Sequence, residues 1–364
     1  MSLDANRIED ITPLRSLTRL EVLSLNNRWQ IGNNEIQGEN YVTDLSPLRS
    51  LTRLSELYLD GNGVEDLSPL ASLTTLTQLR LSRNQVQDIR PLASLPILTV
   101  LDLDANQVQD FSPLASLNNL RELRASLNQL NDLKRLPVMP QLAILWLHGN
   151  GIQDVSRLAL FTGLSDLMLS ANQIQDVHPL TSLSELRVLD LTNNQVSDLR
   201  PLASLNNLES LGLLDNGIRD ISPLASLTNL RELSLGFNQI SSIDSLASLT
   251  ELRRLVLVSN QIQDIRSLSS LTQLRELYLN ENNITDVRPL MPLVNLTLLS
   301  LSLNQITDVR SLIYLTALKE LDLSNNQISD VRFLTALPDL EQLNLMSNPI
   351  APTCPLHPES ICQF

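Results

Sequence analysis

His148 and two serines are the residues of this chain whose types and spacing most suggest catalysis. Ser126 and Ser170 lie at equal distances on either side of His148, with Asp166 and Asp190 nearby. In a Ser-His-Asp group the imidazole takes the proton of the serine hydroxyl and a carboxylate orients the ring. The sequence has no nucleophile elbow and no glycine-rich phosphate loop. We therefore expect no enzyme activity, and we expect His148 to be a contact residue.

The two cysteines form a second candidate group, near the C-terminus. Cys354 and Cys362 stand eight residues apart and flank His357. Three such ligands fall one short of a structural zinc site. In an oxidising compartment the two cysteines would bridge, although two cysteines alone do not establish such a compartment. We expect no metal, no cofactor and reduced thiols.

These residues lie in a repeat array of constant period. Fourteen asparagines recur with a period of 22 from Asn62 to Asn348, each within the phrase LxxLxLxxNxI. Such a phrase and period predict one short strand and one return segment per repeat. Alternation along the strand predicts that Leu79 and Leu81 are buried while Arg80 is displayed. The asparagine amide is expected to bind turn backbone groups of its own repeat and the next.

An aspartate follows most of these asparagines by four residues, as at Asp66, Asp88 and Asp110, with Ser242 as an exception. A calcium ladder is one interpretation, but one carboxylate per turn is few ligands for calcium. We prefer aspartates that accept hydrogen bonds from turn amides. Arginines two positions further on are expected to compensate the repeated charge; they are Arg90, Arg200, Arg266, Arg288, Arg310 and Arg332.

The amino-acid sequence of the repeats resembles the internalin and Sds22-like class of leucine-rich repeats. The runs that carry the resemblance are Asn-Gln-Ile-Gln-Asp-Val from Asn172 and Thr-Asn-Leu-Arg-Glu-Leu from Thr228. The resemblance implies an α/β fold, a right-handed solenoid with a parallel β-sheet on the concave face and short 3-10 or α-helical turns on the convex face. We expect one solenoid domain over residues 1–350 and a capping tail over 351–364.

The outward strand positions are free to vary, so we expect them to carry partner recognition. Four residues before the repeated asparagines stand Tyr58, Arg124, Trp146 and Met168. Trp, Tyr and Arg most often carry interface energy, which favours a binding patch centred on Trp146. Two structural alternatives stay open: Trp146 packs flat on Arg124 and Met168, or charged neighbours pair across strands.

An insertion departs from the period near the N-terminus. Residues 26–39 place twelve extra residues between Leu25 and Asn40, with turn formers around Trp29 and Ile31. We expect a small hairpin that either contacts a partner or shields the first repeat. The chain also opens in mid-repeat, and an uncapped sheet edge allows a homodimer.

Charge and hydropathy exclude several classes of partner and of protein. The net charge is −14, which argues against nucleic acid, and no run reaches the apolar length of a membrane span. The sequence as given begins without a recognisable signal peptide, which predicts a cytoplasmic protein, or a secreted or cell-surface one if a signal peptide was removed.

The sequence as a whole predicts a non-catalytic scaffold that binds a protein on its concave face. The alternatives are a structural or self-assembling module and a binder of carbohydrate or another surface ligand. The residues predicted to contact the partner are Trp29, Tyr58, Arg80, Asp102, Arg124, Trp146, His148, Met168 and Asp190.

Overall fold

Two compact units make up the fold, Met1–Ile174 and Gln175–Phe364. The computed structural model describes residues 1–27, 40–350, 354, 356 and 359–363. The prediction of one solenoid domain over residues 1–350 with a tail over 351–364 stays a prediction.

The first unit alternates short strands with 3-10 turns. Its strands are β1 (Val22–Ser24), β2 (Glu56–Tyr58), β3 (Gln78–Arg80), β4 (Val100–Asp102), β5 (Glu122–Arg124), β6 (Ile144–Trp146) and β7 (Asp166–Met168). Its 3-10 turns are Thr12–Ser16, Ser46–Ser50, Ser68–Ser72, Arg90–Ser94, Ser112–Ser116, Leu133–Arg135 and Ser156–Leu160.

The second unit continues the same alternation. Its strands are β8 (Val188–Asp190), β9 (Ser210–Gly212), β10 (Glu232–Ser234), β11 (Arg254–Val256), β12 (Glu276–Tyr278), β13 (Leu298–Ser300), β14 (Glu320–Asp322), β15 (Gln342–Asn344) and β16 (Cys362–Gln363). Its 3-10 turns are His178–Ser182, Arg200–Ser204, Ser222–Ser226, Asp244–Ser248, Arg266–Ser270, Arg288–Leu290, Arg310–Tyr314, Arg332–Ala336 and Glu359–Ile361.

The strands of each unit are parallel and follow chain order, and most paired residues lie one repeat period apart. Leu79 pairs with Leu101, and Leu277 pairs with Leu299. The middle residue of each three-residue strand is a buried leucine, whereas both flanking side chains face outward. Aligned leucines therefore form the core, and the outward residues form straight columns.

The repeated asparagines join each repeat to the one before it. Asn106 donates from Nδ2 to the carbonyls of Leu81 and Leu103 at 2.8 and 3.0 Å, and its Oδ1 accepts from the Val86 amide at 3.0 Å. Leu81 and Val86 belong to the preceding repeat, so the expectation of bonds to the next repeat was wrong in direction. The asparagine follows its own strand in the chain, so its side-chain amide lies at the carboxyl ends of that strand and of the preceding one.

The aspartates that follow most of the repeated asparagines accept hydrogen bonds from turn amides, as expected. Asp88 accepts from the Arg90 backbone amide at 2.9 Å, and the Arg90 side chain returns to the same carboxylate at 2.6 Å. Equivalent aspartate–arginine pairs form at all six predicted arginines, namely Arg90, Arg200, Arg266, Arg288, Arg310 and Arg332. These pairs are exposed, so they neutralise the repeated charge more than they stabilise the fold.

The residue before the repeated asparagine adopts a left-handed backbone at most repeats. Leu127 and Phe237 both have φ of 53°, and Gly149 occupies the same position with φ of 65°. Residues other than glycine, asparagine and aspartate are strained there. The turn geometry that presents the asparagine amide therefore overrides local preference.

The expectation of reduced thiols was wrong, because Cys354 and Cys362 form a disulfide. Their Cα atoms lie 5.7 Å apart, within the range that a disulfide spans. Strand β16 begins at Cys362 and pairs with β15, which brings the two cysteines into reach. This pairing of a two-residue strand has no sequence signature.

The edge of β1 carries a further segment of the chain. Ser2 forms a parallel bridge with Ser24, and the Leu3 amide donates to the Ser24 carbonyl at 2.8 Å. Residues 1–5 therefore occupy the edge that the sequence suggested was uncapped. Among the described residues, no helix has the length and apolar character to cross a membrane.

Candidate functional site

Three columns of side chains face outward on the strands or just after them, and the sequence prediction drew on two, those of Trp146 and His148. The first residue of each strand also faces outward, as at Glu56, Glu122 and Glu276. Period-two alternation alone was enough to identify this column, because it lies two residues before the column of Tyr58. These glutamates decide how the neighbouring arginines and aromatic rings are arranged.

Trp146 lies on β6, near the end of the first unit's outward face, and is covered by Arg124. The guanidinium carbon of Arg124 sits 3.9 Å from the indole centroid, and Arg124 Nε donates to Glu122 at 2.6 Å. Arg124 and Glu122 are both mostly buried, with side-chain exposures of 25% and 17%. Trp146 Nε1 is itself buried and has no hydrogen-bond acceptor among the described residues. Part of the structural alternative, packing of Trp146 on Arg124, is therefore present.

Tyr58 and Arg80 repeat this arrangement more loosely on β2 and β3. Arg80 lies 5.7 Å from the Tyr58 ring centroid, and Tyr58 Oη donates to Glu56 at 2.7 Å. Burial, together with the Glu56 carboxylate, raises the pKa of Tyr58 to about 12. This hydroxyl is therefore held as a donor to Glu56.

Three carboxylates lie close together at the ends of β2 and β4, where Asp102 is buried and Asp60 and Asp104 are partly buried. Burial raises the pKa of Asp60 to about 6 and that of Asp104 to about 6, with the charge of Asp102 adding to both effects. Burial also raises the pKa of Asp102, which is only 6% exposed. Asp60 and Asp104 accept from the backbone amides of Ser82 and Ser126 at 2.9 and 2.6 Å. Their role in the fold is thus to accept bonds from the next repeat.

His148 lies beside Ser170, with Nδ1 2.9 Å from the serine Oγ. Within the described part of the chain, His148 has no hydrogen bond to a carboxylate, and Asp166 instead accepts from Ser165. A serine and a histidine are therefore in contact without the orienting acid that the triad mechanism uses.

The remaining predicted residues divide between the two units and the undescribed part of the chain. Met168 pairs with Trp146 across β6 and β7, on the same outward face. Asp190 belongs to the second unit, where its Oδ1 accepts from the Thr192 amide at 2.9 Å. Trp29 and the expected hairpin lie outside the described residues, as does His357.

The second unit contains an arginine–aromatic–glutamate group that the sequence prediction missed. Arg254 lies 5.4 Å from the Tyr278 ring centroid, and its Nε donates to Glu276 at 2.9 Å. The signal was present in the sequence, because Glu276 stands one repeat period after Arg254 and Tyr278 follows Glu276 by two positions. Neighbouring strands pair residues one period apart, so that spacing brings the three side chains together.

A scan against family models matched leucine-rich repeats (two copies) over more than half of the chain. The matched residues are 74–116, 162–204, 206–248, 250–290, 294–334 and 316–356. A search of curated proteins returned no match.

Two of the solved structures of similar fold come from bacteria. An internalin (InlF) of Listeria monocytogenes is 36% identical, covers 89% of this chain and 86% of its own, and has a TM-score of 0.69. A leucine-rich-repeat protein of Leptospira interrogans is 28% identical, covers 97% of this chain and 91% of its own, and has a TM-score of 0.85.

The predicted fold class is confirmed by these likenesses and by the architecture of each unit. Both units have parallel strands in chain order joined through 3-10 turns, as a leucine-rich-repeat solenoid requires. The chain belongs to the leucine-rich-repeat family, and internalins are among its structural relatives.

Proposed function

We propose that the chain is a non-catalytic scaffold that binds a protein partner on the outward face of β2–β7. Leucine-rich-repeat proteins commonly serve as protein-binding scaffolds. The observation that carries the proposal is the state of Trp146. Its ring occupies an outward strand position under Arg124, and its buried Nε1 has no acceptor among the described residues.

A buried donor without an acceptor costs about 1–3 kcal/mol, and a partner can recover that cost. A carbonyl or carboxylate from the partner would accept from Trp146 Nε1 once Arg124 turns aside. Arg124 would then pair with an acid on the partner, Met168 would contact it beside Trp146, and Tyr58 and Arg80 would extend the contact toward β2. Tryptophan, tyrosine and arginine are the side chains that most often dominate binding energy at protein interfaces.

Two observations bear on the alternatives. A sugar would stack on an open aromatic face, but arginines lie over the rings of both Tyr58 and Trp146, which disfavours carbohydrate. Self-association at the edge of β1 would have to pair with residues 1–5, which lie along that strand as an isolated bridge, and such a short edge is a poor template for pairing. A protein partner is therefore the better supported proposal, and the net charge of −14 disfavours nucleic acid.

The disulfide bears on where that partner is met. Disulfides persist in oxidising compartments and are rare in the cytosol. The Cys354–Cys362 bond thus supports a secreted or cell-surface location over the cytoplasmic one that the sequence first suggested.

The proposal is tested by comparing two matched double variants with the wild type. The first carries Arg124→Ala and Trp146→Ala, and the second carries Arg254→Ala and Tyr278→Ala, which removes the same chemistry from the second unit. Each protein is used to capture partners from extract and external medium of the native cells. The captured partner is then purified and titrated against all three proteins after their thermal unfolding and molar mass have been matched.

We expect the first variant to bind the partner at least about tenfold more weakly, which corresponds to about 1.4 kcal/mol, while the second binds as the wild type does. Equal loss in both variants, or in neither, would refute a patch centred on Trp146. A wild-type mass that rises with concentration and is unchanged by Trp146→Ala would instead favour the homotypic alternative.

A further inference from the structure

We propose that the last strands of the second unit form a second binding site, which takes an arginine or lysine side chain from a basic peptide. The outward face of β12–β16 encloses a hollow of about 310 Å³. The side chains that decide its chemistry are Tyr278, Leu298, Glu320, Asp322, Asn344 and Gln363. This site is independent of the patch at Trp146 in the first unit.

The hollow has an apolar floor and an acidic wall. Leu298, the first residue of β13, faces outward and is half-buried. Glu320 and Asp322 lie two residues apart on β14, so both carboxylates stand on the same face of the sheet. The methylene groups of a long basic side chain would lie on Leu298 while its head reaches the carboxylates.

Neither carboxylate is neutralised within the described part of the chain. No lysine or arginine there lies within 4.0 Å of Glu320 or Asp322. Asp322 Oδ1 accepts from the Ser324 amide at 3.0 Å and from its hydroxyl at 2.8 Å. The hollow therefore presents two carboxylates without a cation, and of these Asp322 has hydrogen-bond partners.

At two other places on the outward faces, the chain supplies this cation itself. Glu122 binds Arg124 and Glu276 binds Arg254, and each arginine also lies over an aromatic ring. In the hollow the acids stand without an arginine, and the ring of Tyr278 at its margin is already met by Arg254. A partner that brings a guanidinium would supply the charge that is missing at Glu320 and Asp322.

The other lining groups favour a peptide over a free ion. Asn344 and Gln363 offer amides that both donate to and accept from a peptide backbone. Calcium requires about six to eight oxygen ligands, and the described residues contain no group of three or more metal-ligating side chains. A charged guanidinium also binds carboxylates through paired, charge-assisted hydrogen bonds.

The test is a titration of the full chain with short blocked peptides. The probe is acetyl-Gly-Arg-Gly-amide, and the comparison peptide replaces arginine with citrulline, which has similar shape and no charge. Binding is followed by NMR of the Leu298 methyl groups. The variant carries Glu320→Gln and Asp322→Asn, and the matched control carries Glu232→Gln, which changes an exposed glutamate at the same strand position on β10.

We expect saturable shifts at Leu298 with the arginine peptide and binding roughly tenfold or more weaker with citrulline or with the double variant, because charge-assisted bonds are lost. The Glu232→Gln control and a Trp146→Ala variant should bind as the wild type does. The Trp146→Ala comparison separates failure of this site from failure of the proposed function.

Four results would overturn the proposal. They are the absence of a saturable shift at Leu298, equal affinity for the citrulline peptide, unchanged binding by the double variant, and displacement by calcium chloride beyond that by sodium chloride of equal ionic strength. Unchanged amide shifts at Asn304 and Asn326 in the double variant establish that its repeats remain folded.

Discussion

The outward face of the first unit and the last strands of the second unit have the same backbone pattern. They differ in whether their acidic side chains are paired within the chain. On the first, Glu122 is bound by Arg124, and Glu56 accepts from Tyr58. On the second, no cation of the described chain lies within 4.0 Å of Glu320. The leucines and asparagines beneath the two faces are equivalent, so the outward columns alone create the difference.

That difference sets how each face would respond to a partner. A partner at Trp146 has to replace an internal arginine contact, which makes binding depend on close complementarity. A basic side chain at Glu320 would displace water and disrupt no ion pair within the described residues. The first face is therefore suited to a selective contact, and the second to a weaker and more general attraction.

The largest expected effect tests whether the repeats of both units depend equally on their buried asparagines. We expect Asn106→Ala and Asn304→Ala each to lower the free energy of unfolding by about 3–5 kcal/mol, because each leaves buried amide and carbonyl groups unpaired. Asn304 donates to Leu279 and Leu301 at 3.0 Å, which matches the contacts of Asn106. Urea unfolding measures both. A loss confined to one unit would break the equivalence on which the comparison rests.

The next effect belongs to the second unit alone. Reduction of Cys354–Cys362 should destabilise the last strand pair by about 2–3 kcal/mol, because a closed loop is released. The Leu345 amide, which donates to the Gln363 carbonyl at 2.8 Å, reports the change. Hydrogen exchange should accelerate there and stay constant at the Leu81 amide in the first unit. Equal exchange at Leu345 before and after reduction would show that β16 is held without the disulfide.

Partly buried acids distinguish the first unit's face by the way its stability responds to pH. The folded-state pKa of Asp60 is about 6, above its ordinary value of 3.8, so its protonation stabilises the fold at low pH. That stability is complete below about 3.8 and is lost as pH rises through about 6. Asp60→Asn and Asp104→Asn should therefore each raise the free energy of unfolding at pH 8 by about 1–2 kcal/mol, with no gain near pH 4.

The matched control for the acids is Asp198→Asn. Arg200 hydrogen-bonds this exposed carboxyl and lowers its pKa to about 2, so no gain is expected at pH 8. Urea unfolding at pH 4 and pH 8 provides both readings. A gain for Asp60→Asn that is equal at the two pH values would refute the assignment to a raised pKa.

The smallest effect should be the same in both units. Leu127 and Phe237 have φ of 53° and are about half exposed, with relative exposures of 52% and 50%. Asparagine tolerates this backbone better, so Leu127→Asn and Phe237→Asn should each stabilise by about 0.5–1 kcal/mol. Thermal unfolding tests the pair. A loss of stability in either variant would show that the exposed side chain makes a contact that outweighs the strain.

The sequence determined the scaffold closely, because each of its rules repeats. The constant period and the LxL alternation predicted the strands, the buried leucines such as Leu79, and the turn bonds of aspartates such as Asp88. The pairing of Arg90 with Asp88 followed from spacing alone. Because each pattern occurs in many repeats, a single prediction could be made from many copies of the same evidence.

The candidate sites were less predictable, because they depend on contacts between repeats. Whether Arg124 lies over Trp146 or points to solvent depends on Glu122, a neighbour that the sequence prediction did not treat as outward. The direction of the asparagine bonds depends on how a turn is placed beside the previous strand. Gln363 reaches the hollow only because β16 pairs with β15, and two residues give too little pattern to predict a strand.

The backward reach of the asparagines has a consequence for the growing polypeptide on the ribosome. Since Asn106 completes the hydrogen bonding of Leu81 and Val86, a repeat is finished only when the next one has been synthesised. Each newly synthesised repeat thus completes the hydrogen bonds of the repeat before it, and during synthesis the most recently made repeat is the one that lacks them. Asn348 completes the repeat of Leu323 in this way, because its side chain donates to the Leu323 carbonyl at 2.9 Å.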